Sequence, residues 1–364
     1  ISTWGGNITS LDILVKPQSL QSVSKALLDN NIGYEVIIQD LQKAIDEENP
    51  PLNEDDYEDR AGHRLTWQSY HRLADIYGFL DYLAASHPNL CSLHTIGNSI
   101  EGRPLKVLKI SNGNPGNKAV WVDGGIHARE WISPATVTHI INYLVENLNR
   151  EDGALQNIDW HILAVGNPDG YEYSHTTDRL WRKNRRRGQC YGTDLNRNFG
   201  HHWGGKGSGK HPCQEIYGGS GPFSEPETAA IRNYITGTNA GAPWKAYISF
   251  HSYGQYILYP WGYDQVVPQD HGDLQAVANK AASAIRAVTG AYYRVGSSAI
   301  LLYPASGGSD DWAKGTVGMK YAYTIELRDS GRYGFVLPAS YIIPTATEAL
   351  AALKAIASTV GRGA

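Results

Sequence analysis

Cysteine is scarce in this chain. Three residues, Cys91, Cys190 and Cys213, cannot make a thiolate zinc cluster, which needs four ligands at short spacings. No apolar run approaches the roughly 18 residues that span a bilayer, so no membrane association is expected. The net charge of −4 carries no basic excess of the kind that holds nucleic acid. No internal repeat is present, and the glycine-rich HHWGGKGSGK (201–210) lacks a phosphate-loop pattern. The chain starts at Ile1 without methionine or a signal-type segment, so an N-terminal piece is expected to have been removed earlier.

What is present describes a globular protein, with 41% hydrophobic and 19% charged residues over 364 positions. Charge is unevenly placed: residues 1–60 hold 4 basic and 12 acidic side chains, the remainder 28 and 24. An acidic front beside a basic body is either a solvated tail or a cover for a positive cleft. Cys190 and Cys213 flank a loop that a disulfide would pin, and Cys91 is expected to be a small buried hydrophobe. The sequon at Asn7 points toward secretion.

The front segment reads as strand LDILVK (11–16), a helix from Pro17, strand IGYEVIIQD (32–40) and helix LQKAIDEEN (41–49). Acidic NEDDYEDRAGHR (53–64), with Arg60 and Arg64, reads as an exposed linker open to proteases. From Thr66 onward strand-like runs such as PLKVLKI, NKAVWVDGG, DWHILAVG, WKAYISFHSY and KYAYTIELRD alternate with helical stretches. That alternation predicts an α/β domain: a mixed, mostly parallel central sheet with helices on both faces.

Sites in such sheets gather where strands end. His127 and Glu130 follow AVWVDGG, His251 ends AYISFHS, and Glu326 ends YAYTIELRD. Two imidazoles and one carboxylate, with a fourth position for water, form a catalytic zinc set that lowers the water's pKa to about 7. A second carboxylate outside the ligand set can serve as general base, and Glu326 suits that role. Spacing alone leaves open which glutamate binds the metal. In TDRLWRKNRRRGQCYGTDLNRNFG, Arg185, Arg186 and Arg187 read as a solvated basic loop. Asn196 and Arg197 differ, because an arginine fork beside an amide suits a substrate carboxylate.

From about Leu11 onward the chain resembles the pancreatic A/B-type zinc metallocarboxypeptidases in zymogen form. The likeness rests on GIHAREW, NPDGY, DRLWRKNR, DLNRNF, FHSYGQYILYPWGY, GGSDDW and IELRDSGRYGF, in that order. It implies one Zn2+ held by His127, Glu130 and His251, with Glu326 as general base and Arg182 polarising the scissile carbonyl. It implies further that Asn196, Arg197 and Tyr303 hold the terminal carboxylate, that Arg129, Arg179 and Tyr253 line outer subsites, and that Cys190 pairs with Cys213. Residues 1–60 then form a pro-segment, matching the second half of a ferredoxin-like βαββαβ activation domain, and residues 61–364 the catalytic domain. The expected partners are peptide C-termini and a trypsin-like activating protease cutting at Arg60, or else Arg64. A secreted monomer of the digestive or granule type follows.

GGSDDW bears on what is cut. In the family's A type, which prefers apolar and aromatic ends, the residue matching Asp310 is aliphatic; in the B type it is Asp. Asp311 fits a structural capping role. A carboxylate closing the pocket attracts Arg or Lys and rejects apolar residues. Gly262 and Ser298 are small and leave room for a long side chain. The expectation is B-type release of C-terminal Arg or Lys. The alternatives are A-type specificity, or a catalytically silent binding protein on the same fold.

Overall fold

The computed structural model describes residues 2–6, 10–51 and 62–362. Ten strands occur among them. β1 (Ser2–Gly6) and β2 (Leu11–Leu14) form an antiparallel hairpin, and helices Leu20–Asp29 and Leu41–Glu48 follow it. β3 (Cys91–Asn98), β4 (Pro104–Ile110), β5 (Lys118–Asp123), β6 (Ile158–Leu163), β7 (Trp244–His251), β8 (Tyr256–Tyr259), β9 (Arg294–Ser297) and β10 (Tyr321–Glu326) form one sheet. Their order is β3-β4-β6-β5-β7-β10-β8-β9. The inner run β6-β5-β7-β10 is parallel throughout, while β3-β4, β4-β6 and β10-β8 are antiparallel. The expected mixed, mostly parallel sheet is what forms.

Alternation within the strands explains why both faces are covered. On β5, Val120 and Val122 join the larger core beneath helices Leu73–Ser86, Ile132–Asn147, His271–Thr289 and Ile342–Gly361. Trp121, between them, faces a smaller core with Phe199, Tyr247, Trp312 and Met319. A central strand buried on both faces reads as a continuous apolar run, which is how NKAVWVD looks in the sequence.

The front segment departs from expectation in one element. Residues 32–40 form no strand, and Ile32, Tyr34, Val36 and Ile37 stay exposed. Alternation needs a ladder partner and a face to bury, and among the described residues none pairs with this stretch. The hairpin strand β1 was not foreseen. The first helix of the body begins at Leu73, after the irregular Thr66–Arg72 stretch. Cys91 is buried and unpaired, as expected, and Cys190 is joined to Cys213.

Candidate metal centre and substrate cleft

Three neighbouring strands, β5, β7 and β10, carry the candidate site at their C-terminal ends. After β5 the chain turns through Gly124 and Gly125. A Cβ at Gly124 would lie 2.6 Å from Ser133 Oγ; at Gly125, where φ is +64°, one would lie 2.9 Å from Pro134 Cγ. The turn is therefore closed to larger residues, and it drives His127 and Glu130 back toward the strand ends. His251 and Glu326 face each other in register on β7 and β10.

His127, Glu130 and His251 are buried and offer ligand atoms within 4.8 Å of one another. His127 Nδ1 lies 2.8 Å from Glu130 Oε1, and His251 Nδ1 lies 3.1 Å from both His127 Nδ1 and Glu130 Oε2. Two imidazole nitrogens facing each other and a carboxylate form a donor set that fits zinc. Burial would raise the Glu130 carboxyl, but His127 and His251 override it and hold it far below the usual range. Burial would lower His251, yet Glu130 lifts it to about 9. That negative potential is what a divalent cation would meet. Burial pushes Glu326 up to about 7, with His251 opposing the rise and Glu130 adding to it.

One important residue was not foreseen. Asp194 Oδ1 accepts from His127 Nε2 at 3.1 Å, while its Oδ2 accepts from Arg182 Nε at 3.1 Å and Nη2 at 2.8 Å. It holds a candidate metal ligand from behind and the arginine beside it. Burial would raise its carboxyl; Arg182 and His127 pull it well below its ordinary value. The only sequence signal was an acid directly before LNRN.

A cavity of about 610 Å³ opens in front of this group, with Arg182, Asn196, Arg197, Tyr303, Asp310 and Glu326 in its wall. Asn196 Oδ1 accepts from Ser309 N at 2.9 Å, and Arg197 donates to Gly207 O and Asn196 O. Tyr303, half exposed, stands on the rim. Asp311 is structural, accepting from Gly262 N and Tyr263 N. Asp310 lines the cavity with Gly262 and Ser298. It is buried, its Oδ1 accepts from Asp311 N, and burial pushes its carboxyl upward against a Thr324 hydrogen bond. Thr324, absent from the sequence reading, also lines this cavity.

Two of the outer residues stand apart from the cavity wall. Arg129 lies with its guanidinium 4.1 Å from the Phe335 ring centroid, and burial draws it down to about 10. Arg179 is buried, stacked 3.7 Å over Trp131, and paired with Glu48 at the end of helix Leu41–Glu48. Tyr253 does line the cavity, but its hydroxyl donates to Asp12 at 2.6 Å. Trp4, Ser10 and Asp12 stand in the same wall, with Trp4 edge-on to Phe335. Arg64 is exposed, whereas Arg60 and Asn7 lie outside the described residues.

The expected solvated loop needs correction. Arg185 sits among the rings of Tyr173, Trp181 and Tyr191 at 3.5, 4.5 and 4.7 Å, and Arg186 Nε donates to Glu225 at 2.6 Å. Aromatic faces and a buried carboxylate hold these two cations, so only Arg187 is exposed.

A buried His-Glu-His group at the ends of parallel strands, with a second carboxylate and an arginine around one cleft, defines a metal-dependent hydrolase. The zinc carboxypeptidase profile matches residues 76–352, and the carboxypeptidase activation peptide profile matches residues 1–48. The chain belongs to the zinc carboxypeptidase family. It is 46% identical over 300 residues to carboxypeptidase B of Astacus astacus, covering 81% of this chain and 98% of that one. It is 40% identical over 352 residues to carboxypeptidase A1 of Sus scrofa, covering 95% and 83%. The crystal structure of thrombin activatable fibrinolysis inhibitor superposes with a TM-score of 0.88 at 37% identity, covering 97% of this chain and 89% of that one. Carboxypeptidase A from Helicoverpa armigera gives 0.87 at 29% identity, with the same coverage.

Proposed function

We propose that the chain is the zymogen of a B-type carboxypeptidase that releases C-terminal Arg or Lys. Asp310 carries this reading. A buried carboxylate that burial disfavours gains most from a guanidinium or ammonium partner, and it repels an apolar side chain. The similarity to carboxypeptidase B of Astacus astacus supports it. The similarity to carboxypeptidase A1 of Sus scrofa keeps release of apolar ends as the second reading.

Zinc held by His127, Glu130 and His251 would polarise the scissile carbonyl and acidify water. Glu326, pushed up to about 7, is suited to take a proton from water and hand it to the departing amine near neutrality. Arg182, held by Asp194, would donate to the oxyanion as charge develops on it. Asn196, Arg197 and Tyr303 would take the substrate's terminal carboxylate, which restricts the reaction to chain ends.

The front segment is the inhibitor in this proposal, with domains at 1–60 and 61–364. Trp4 and Asp12 stand where upstream substrate residues would pass, and Glu48 covers Arg179. A secreted monomer activated by a trypsin-like cut at Arg60 or Arg64 completes the picture. The test is Asp310→Leu, assayed after activation on blocked dipeptides ending in Arg and in Phe. A reversal of preference is expected; an unchanged Arg preference would sink the assignment.

A further inference from the structure

Arg182 and Asp194 lie on two facing segments, 182–186 and 192–194, and something must fix the gap between them. One buried side chain, Asn184, touches both. Its backbone N–H donates to Thr193 O at 3.0 Å, and its Oδ1 accepts from Thr193 N at 2.8 Å and from Arg186 N at 3.3 Å. Gly192 N closes the pair by donating to Arg186 O at 2.8 Å. This approach requires glycine at 192, where φ is +87° and a Cβ would lie 2.5 Å from Asn184 O.

The other end of the amide is anchored as firmly. Asn184 Nδ2 donates to Glu225 Oε2 at 2.8 Å and to Glu227 Oε2 at 3.1 Å. Asn184, Glu225 and Glu227 are all fully buried. Glu225 also takes Arg186 Nε, and Glu227 takes Ile100 N at 3.0 Å. An amide is suited to this place because it donates twice without charge while its oxygen accepts from the backbone. A carboxylate there would be a third buried negative group, and a hydrocarbon would take one donor from each of two buried carboxylates and the acceptor from Thr193 N.

We propose that Asn184 is a positioning residue that sets Arg182 and Asp194 against the metal centre. It lies two residues from the arginine and, through Thr193, one residue from the carboxylate that accepts from His127 Nε2. Loss of Asn184 therefore loosens two things: the aim of Arg182 at the oxyanion and the orientation of His127. The first lowers kcat with little change in KM, because the contact strengthens in the transition state. The second weakens zinc binding, as removal of a ligand's hydrogen-bond partner does. The inference rests on the functional reading above, and the zinc measurement separates the two.

The test uses the activated protein with Asn184→Ala and the isosteric Asn184→Asp. Zinc affinity is measured by chelator competition, and kcat and KM are measured on whichever blocked dipeptide the wild type prefers. Asn184→Ala is expected to weaken zinc binding about tenfold and to lower kcat at least as much, with KM within about twofold. Asn184→Asp faces Glu225 and Glu227 from the neighbouring helix and Arg186 on its own segment. Its kcat relative to wild type is expected to recover as pH falls from 8 to 6, when a proton shared among the three carboxyls restores a donor. Folded Asn184→Ala with wild-type zinc affinity and kcat would overturn the proposal. If Asn184→Ala does not fold, Asn184→Asp decides: a ratio that stays flat with pH overturns it. A wild type that binds zinc but cleaves nothing would defeat the functional reading, and zinc affinity would still decide this one.

Discussion

Asp194 shows how much a single residue can do at this site. It accepts from a candidate metal ligand and from an arginine at once, so one carboxylate holds both. Its role was not legible in the sequence, because its partner His127 lies 67 positions away. His127, Glu130, His251 and Glu326 were legible because each follows or ends a strongly patterned strand. Glu326→Gln should lower kcat by about 10²–10⁴-fold while zinc remains bound, as expected for loss of a general base. Activity and metal content measured on one preparation check it, and near-wild-type turnover would remove Glu326 from the mechanism.

Elements with a face to bury were readable from pattern alone. β4, β5, β7 and β10 fall within runs marked by apolar content, and β6 and the four long helices around the larger core overlap such runs. Residues 32–40 were misread because alternation is necessary for a strand but pairing is what makes one. The four-residue strands β8 and β9 offered too short a pattern to recognise. The segment entering helix Pro226–Asn233 carries a testable charge. Burial, with Glu225 adding, pushes Glu227 up to about 7 from an ordinary value of 4.5. The folded state then holds a proton that the unfolded state releases, so the stability is fully present below pH 4.5 and is lost as pH rises through 7. The contribution is on the order of 3 kcal/mol. The thermal midpoint of the wild type should fall between pH 5 and 8 more steeply than that of Glu227→Gln. Identical slopes would show that Glu227 keeps an ordinary pKa.

The whole molecule joins an acidic segment to a cleft that has basic groups around it. The charge split suggested a cover, but only the structure supplies its contacts: Asp12 on Tyr253, Trp4 on Phe335, and Glu48 on Arg179. Asn49 adds another by accepting from Tyr70 N at 2.7 Å, beyond the undescribed linker. None of these four contacts is made to His127, Glu130, His251 or Asp310. The uncut chain should therefore discriminate against long peptides more than against blocked dipeptides, and trypsin treatment should narrow that gap. Equal inhibition toward both substrate lengths would show that the segment acts on the chemical centre instead.

The proposed activity is zinc-dependent release of basic C-terminal residues. It is tested most directly by comparing hippuryl-arginine with hippuryl-phenylalanine as substrates of the trypsin-activated protein, with and without a chelator. Rapid release of arginine, slow release of phenylalanine, and loss of both on chelation with recovery on adding zinc are expected. Faster release of phenylalanine, or arginine release that survives removal of the metal, would contradict it.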